Sequence, residues 1–525
     1  MRRIIQILTL SIGELSMKSS ALLSAFFIAF GLLISGCDET EVTLEMTVDV
    51  AGLTADERQF IDRVSIDVVG LEAPLQFSES AATAFKSGAF VASSEAIAVK
   101  EPTTVFVRAS VYAGDFEVAG QTQRVTLNAD SGSVELRFEL SSQVSPNGCR
   151  LVQSPSEVGL STEADPTTFD VVADSGGYQL AYSDLAKTDG DIYTVKLDAQ
   201  GKVASAPIRL TDTSSRSVFP SLTKLSDGFA IAWQNAIKDS MTNAHGMQVG
   251  KLDSTGRLIR SGSLVFATST NEVLPMHAVM PSGQVALVWH EYFGWGERVV
   301  VARPLYSSNS SDSIYGLDSR KVMASKNTTD IAIAASNDGF GVVWSDKNAN
   351  GQDYGLQFAK LDANFNVTQQ STLRTSIGDA RKANIVATSS GFLVSWEDMR
   401  SELSSEVFTS AVTANGTRLT ESKLTDAIAA SGAKSPRLAW NGTSAAMIFT
   451  QLRDENVGGN QVFLTRISDQ GAKIGAGDLQ ISQTLDTYAM MPRIVPLGAG
   501  YMIFWTEEKA YAPSKLMVAT VDCDN

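Results

Sequence analysis

Seven short segments recur at near-constant spacing: GGYQLAYSD, DGFAIAWQN, SGQVALVWHE, DGFGVVWSD, SGFLVSWED, GTSAAMIFTQ and GAGYMIFWTE. Each joins a turn to an apolar run that carries one aromatic residue. The aromatics are Tyr182, Trp233, Trp289, Trp344, Trp396, Phe449 and Trp505, separated by 51 to 56 residues, and five of the chain's seven tryptophans stand in this column. A period of this kind constrains the fold more than any local propensity does. Each repeat must be one supersecondary unit that buries its apolar surface against copies of itself.

Within a repeat the pattern is of strands. The aromatic run is followed by a polar loop, an alternating run, a turn and a further run, as in DIYTVKLD, AQGK and VASAPIRLT. MQVGKLD, STGR and LIRSGSLVF repeat this, as do LQFAKLD, ANFN and VTQQSTLRT. The turns Asp198 to Gly201 and Asp253 to Gly256 fit a tight hairpin, with Asp accepting a local hydrogen bond and Gly taking positive φ. A short strand precedes each aromatic run (PSLTKLS, PMHAVMP, IAIAAS, NIVATS, PRLAWN, PRIVPL), which makes four strands per repeat. Four antiparallel strands every 40 to 55 residues or so read as propeller blades. The runs FAIAW, GVVW, LVSW and MIFW are apolar on both alternations, as a sheet covered on both faces requires. The expected fold class is all-β: a seven-bladed, four-stranded β-propeller over 148–525. The alternative, an open solenoid of hairpins, is decided by the ends of the array. The seventh repeat stops after LMVATVD, one strand short, and CRLVQSPSEVGLST, 149–162, stands before the first repeat as VASAPIRLT stands before the second. That segment is expected to supply the missing outer strand and leave no exposed edge.

Residues 38–147 lack the repeat and read as period-2 strands: EVTLEMTVDV, RVSIDVVGL, FVASSEAIAV, TTVFVRASVY, QRVTLNA and SVELRFEL. Six or seven strands over this length suggest a small β-sandwich. It resembles the immunoglobulin-like or transthyretin-like spacers of envelope lipoproteins, which implies a role in holding the larger domain off a membrane.

The first 36 residues read as a signal peptide. MKSSALLSAFFIAFGLLISGC starts with a lysine-bearing stretch from Met17, has an apolar run from Ala21 to Ile34, and ends in small residues. Either Met1 or Met17 can start it. Ile34-Ser35-Gly36-Cys37 resembles the bacterial lipobox; the resemblance implies that Cys37 is lipidated and becomes the N-terminus, an uncleaved membrane anchor being the alternative. The chain is then expected in the cell envelope of a Gram-negative bacterium, lipid-anchored, facing the periplasm or the cell surface. With Cys37 taken by lipid, Cys149 and Cys523 are the remaining pair. Cys523 occupies the turn position held by Ala199 in VKLDAQG, and Cys149 enters the strand that such a turn would lead into. A disulfide there would stand in for a missing peptide connection in a compartment where disulfides persist.

Charge excludes some partners. Loss of residues 1–36 removes Arg2, Arg3, Lys18 and Glu14, leaving 39 basic and 57 acidic side chains, a net near −18. Such a surface repels phosphate backbones, so nucleic acid is not an expected partner. A monomer is expected, attached to the membrane through its lipid and binding an envelope protein or a glycan.

The loops that follow the aromatic strands are long and carry the candidate binding residues. Two positions after each column aromatic stands Asp184, Asn235, Glu291, Asp346, Asp398, Gln451 or Glu507. Such a ring of acceptors could hold cations or sugar hydroxyls, or each could cap its own hairpin. In EYFGWGER, the aromatics Tyr292, Phe293 and Trp295 beside Glu291 offer a stacking platform or fill a funnel mouth. Glu291, Asp398 and Glu507 complete the candidate loop face. DKNANGQD places Asp346, Asn348, Asn350 and Asp353 at calcium-loop spacing, yet Gln357 stands where a closing glutamate belongs, and Asn350-Gly351 is also a plain hairpin signal. No other cofactor is expected.

Catalytic signatures are sparse. The three histidines, His245, His277 and His290, stand in no H-E-x-x-H, there is no G-x-S-x-G, and no cysteine is spare for a nucleophile. Trp396 to Arg400 (W-E-D-M-R), with strands ending in L-D-x-x-G, resembles a blade type of exported bacterial propellers, often lipoproteins. The resemblance implies a fold and leaves the activity open. The first reading is therefore a noncatalytic binding or scaffold module acting through its loop face, with no catalytic residue assigned. The second is a glycoside hydrolase using two carboxylates.

Overall fold

The computed structural model describes residues 40–523 apart from short segments, the longest being 82–88, 142–147, 237–244, 265–273, 305–316, 348–352, 426–431 and 453–458. The signal segment and Cys37 lie outside the described residues. The chain divides into two compact units, Met1–Ser142 and Gln143–Asn525.

The first unit holds two four-stranded sheets. In one, Thr40–Gly52 pairs antiparallel with Phe90–Ser93 and Ile97–Val99, and parallel with Ser133–Ser141. In the other the order is Leu75–Ser80, Arg63–Val69, Thr103–Ala113, Phe116–Leu127. Alternate residues of both sheets meet in one apolar cluster that includes Val42, Leu44, Met46, Val64, Ile66, Val105, Val107 and Phe138. Two local features differ from the sequence pattern. FVASSEAIAV breaks at Ser94, whose N–H donates to Leu44 O and whose Oγ accepts Leu44 N–H, both at 2.9 Å, so the hydroxyl stands in for a ladder carbonyl. The strand Leu75–Ser80 is additional to the period-2 runs of the sequence; its residues are mostly exposed and polar.

Among the described residues the second unit forms seven four-stranded antiparallel sheets. Six are contiguous in sequence. The seventh joins Tyr488–Leu497, Gly500–Glu508 and Lys515–Cys523 to Cys149–Glu157. The first strand of every sheet packs on the first strand of the next, and Tyr488–Leu497 packs on Pro166–Asp174, so the series closes on itself, as in a propeller. Cys149 and Cys523 are register partners in the closing pair and are disulfide-bonded. Glu157 is ion-paired with Lys515, and Val158 N–H donates to Leu516 O at 2.8 Å.

Sheet packing explains the aromatic column. Trp289, Trp344, Trp396 and Trp505 are among the largest fully buried side chains. Tyr182, Trp396 and Phe449 stack on their cross-strand partners Tyr193, Phe408 and Phe463, a pairing that adds to the area each ring buries. The L-D-x-x-G turns close as their chemistry dictates. Asp198 Oδ1 accepts the N–H groups of Gln200 and Lys202, and Asp253 Oδ1 those of Thr255 and Arg257. Gly201 and Gly256 take the left-handed position at φ 74° and 85°. In the fourth sheet Phe365 occupies that position at φ 63°, fully buried and stacked on Phe340. The lysine before two of these turns reaches back to the first hairpin of its sheet, Lys251 to Asp227 and Lys360 to Asp338, at 2.6 and 2.7 Å. The first sheet departs from the pattern. Its outer strand shrinks to Ile208–Arg209, while Val203 N–H is diverted to Val158 O.

Candidate functional site: the axial cavity

The seven first strands are Pro166–Asp174, Ser217–Leu225, Met276–Val279, Thr328–Ser336, Ala380–Ala387, Ala433–Trp440 and Tyr488–Leu497. Most carry a register shift near their start, and non-glycine residues take positive φ there: Phe219, Leu274, Asp330, Lys382, Ser435 and Met491. A bulge of this kind bends the strand and re-aims the side chains beyond it. In every sheet the residue paired opposite the position just before the column aromatic then faces the equivalent residues of the other sheets. In order around the series these are Asp170, Ser221, Met276, Ala332, Asn384, Arg437 and Arg493. All but Ala332 line a cavity of about 340 Å³, together with Phe169, Asp330, Ile331 and Lys382. At the register-equivalent positions five contiguous sheets contribute polar groups, which form a polar arc, and the third and fourth contribute the apolar Met276 and Ala332, beside which His277 and Asp330 also line the cavity.

Charges in the cavity are partly paired. Arg493 Nε lies 3.5 Å from Asp170 Oδ1, and Asp170 Oδ2 accepts Leu222 N–H at 2.8 Å. Burial nevertheless drives the Asp170 carboxyl above its ordinary value, against the pull of Arg493 and the N–H donors. Lys382 Nζ lies 3.4 Å from Asp330 Oδ1. Glu397 Oε1 accepts Ser435 N–H at 3.0 Å, and burial raises this carboxyl as well. Asn384 Oδ1 accepts Leu438 N–H at 2.8 Å. Arg437 is different. Its Nη1 donates to Pro436 O at 3.0 Å, and among the described residues it has no ion pair. Burial, and next the like charge of Arg493, push it down to about 9.

One pair resembles a nucleophile and its base. Ser221 Oγ lies 3.1 Å from His277 Nδ1, but the same oxygen accepts His277 N–H at 3.0 Å, a local capping geometry. Burial pushes His277 down to about 3, which makes it a poor base near neutrality. His290, also buried, is pushed down to about 4.

The residues picked out in the sequence lie elsewhere. Asp398 is 1% exposed, and its carboxylate accepts from Arg374 Nε at 3.1 Å, Arg400 Nη2 at 2.5 Å and Trp396 Nε1 at 3.1 Å, while its Oδ1 takes Arg400 N–H. Glu507 accepts Trp505 Nε1–H at 2.9 Å, Asp184 caps its own loop through Ala186 N–H, and Glu291 is buried. Phe293, Trp295, Asn348 and Asn350 lie outside the described residues, as does the side chain of Tyr292. Asp346 is the penultimate residue of the strand Gly339–Lys347 and Asp353 precedes Tyr354–Asp362. Among the described residues no group of three or more His, Cys, Asp or Glu side chains is placed to hold a metal ion. The cavity residues had one sequence signal. The inner strands open on Phe-Pro, Leu-Pro, Ser-Pro and Met-Pro, and in the last two an arginine follows the proline.

No protein-family model matches the chain, and no curated protein matches it. Among solved structures it is similar to a protein of unknown function from Dyadobacter fermentans, at 10% identity and a TM-score of 0.43, over 72% of this chain and 100% of that one. It is similar to the NanB sialidase of Streptococcus pneumoniae at 11% identity and a TM-score of 0.38, over 88% and 94%. The polysaccharide lyase Uly1 shows 9% identity and a TM-score of 0.41, over 70% and 91%. Likeness at this level bears on no activity.

Proposed function

We propose that the second unit is a seven-bladed β-propeller carried on a β-sandwich spacer, and that the chain is a monomeric envelope lipoprotein, anchored through Cys37, acting as a noncatalytic binding module. Its ligand, a glycan or a group on an envelope protein, enters the axial cavity. The observation that carries this reading is the convergence of all seven inner strands on one cavity whose polar arc is built from register-equivalent positions. Burial disfavours the charged form of His277, the histidine that lines the cavity, and its contact with Ser221 is a cap, so the cavity has groups to bind with and a poor imidazole base to react with. Two experiments test the reading. Metabolic labelling with an alkyne fatty acid should mark the wild-type chain and leave Cys37→Ala unmarked; equal labelling would remove the anchor. A glycan panel should show binding without release of reducing ends.

One observation favours a glycoside hydrolase as second reading: Asp170 and Asp330 line the same cavity, and burial biases Asp170 toward its protonated form, as a general acid requires. Reducing ends released by wild type and abolished by Asp170→Asn would establish it.

A further inference from the structure

We propose that Arg437 and Arg493 form a seat for one carboxylate carried on a hydroxylated ligand, a sugar acid of the uronate type. This deepens the binding-module reading and rests on the axial cavity being its site. The two arginines hold equivalent positions on adjacent sheets, opposite Ile448 and Phe504. Both are tethered in the same way: Arg437 Nη1 donates to Pro436 O at 3.0 Å and Arg493 Nη1 to Pro492 O at 3.1 Å. The bond to the carbonyl before each arginine thus holds its guanidinium; Arg493 Nε faces Asp170, and the remaining donors of Arg437 are left for other partners.

The open donors of Arg437 are what one carboxylate would satisfy. Arg493 has Asp170, and Lys382 has Asp330, while Arg437 has no ion-pair partner among the described residues. Burial first and the like charge of Arg493 next push Arg437 down, while the carboxylates of Asp330, Glu397 and Asp170 pull the other way without pairing with it. A planar carboxylate matches the guanidinium fork and supplies a single negative charge. A dianionic phosphate would sit among Asp170, Asp330 and the nearby Glu397, and is disfavoured by them. Hydroxyls of the ligand would meet Asn384 and Lys382, and its carbon face would lie toward Met276 and Ile331.

The test is calorimetric titration of the full-length protein in detergent with glucuronate, with glucose and inorganic phosphate as paired probes. Glucuronate is expected to bind at least about tenfold more tightly than either. Arg437→Gln should lose about tenfold or more of that affinity at an unchanged melting temperature, since a charge-assisted bidentate contact is removed. Glucuronate binding no tighter than glucose, phosphate binding tighter still, or indifference to Arg437→Gln would overturn the seat. If Arg437→Gln fails to fold, Arg437→Lys, which keeps the charge and loses the fork, carries the same test. Met276→Trp, which fills part of the cavity, separates the two layers of the reading. Sugar binding lost in Met276→Trp and kept in Arg437→Gln would sink the carboxylate seat and leave the cavity as the site. Sugar binding untouched by both would sink both.

Discussion

Breaking the Cys149–Cys523 bridge is expected to destabilise the second unit by about 4 to 6 kcal/mol. The bridged residues are 374 apart in sequence, and the chain-entropy treatment of a closed loop that long gives about 6 kcal/mol, which native strain can only reduce. Replacing both cysteines by alanine adds a small packing loss, because both are buried, at 0% and 1% exposure. The strand Cys149–Glu157 should still dock, held by its ladder to Lys515–Cys523, by Lys515 against Glu157 and by the Val158 amide, so the variant folds and is weaker. All seven tryptophans follow residue 143, so their fluorescence reports this unit alone. Urea unfolding of wild type, oxidised and reduced, beside Cys149→Ala/Cys523→Ala is the assay. With unfolding entropy near 2 cal/mol/K per residue over a unit this long, the loss corresponds to roughly 5 to 8 °C in melting temperature. Identical midpoints for oxidised and reduced wild type, with two free thiols by mass spectrometry, would refute the closing role of the bridge.

Other perturbations follow from single sites. Asp398→Ala leaves Arg374, Arg400 and the Trp396 indole without their acceptor, at an expected cost of about 3 to 5 kcal/mol by chemical denaturation. Burial pushes the Asp398 carboxyl up, but hydrogen bonds from Arg400, Trp396 and Arg374 outweigh it and hold it below the ordinary 3.8. Its stabilisation is therefore present above that value and lost as pH falls toward the folded one, so melts from pH 5 to about 2 should decline less steeply in Asp398→Ala than in wild type. Phe365→Gly relieves about 1 kcal/mol of left-handed strain and forfeits about 3 to 5 kcal/mol of burial, for a net loss near 3; a variant as stable as wild type would mean that the stack on Phe340 contributes little. Calcium titrated into the protein is expected to release no heat, since the loop from Asp346 lacks its closing glutamate; a saturable heat lost in Asp346→Asn would reverse that.

How much of this was legible in the sequence varied with the range of the interaction. The aromatic column and the L-D-x-x-G turns are local and repeated. Asp198 with Gly201, or Asp398 capping its own loop at Arg400, could be read as motifs and are found as contacts. The closing pair could be read because the last repeat is short and two cysteines flank the gap. The cavity could not be read in that way. Ring closure brings Asp170 to Arg437 and Arg493, and the two arginines follow positive φ at Ser435 and Met491, which propensity argues against. The loop acceptors allowed two readings, a binding ring or local caps, and Asp184 and Asp398 each cap their own loop. Asp398 and Glu507 are polar and follow the aromatic strand, yet the indole beside each one claims it. Leu75–Ser80 carries only two inward apolar residues, Leu75 and Phe77, before its exposed polar end, too short an alternation at a sheet edge to mark a strand.

The most direct measurement is a crystal structure of the protein grown with glucuronate. Density for the sugar is expected inside the ring of inner strands, its carboxylate between Arg437 and Arg493. Density confined to the outer loops, with the axis occupied by solvent alone, would contradict the axial site.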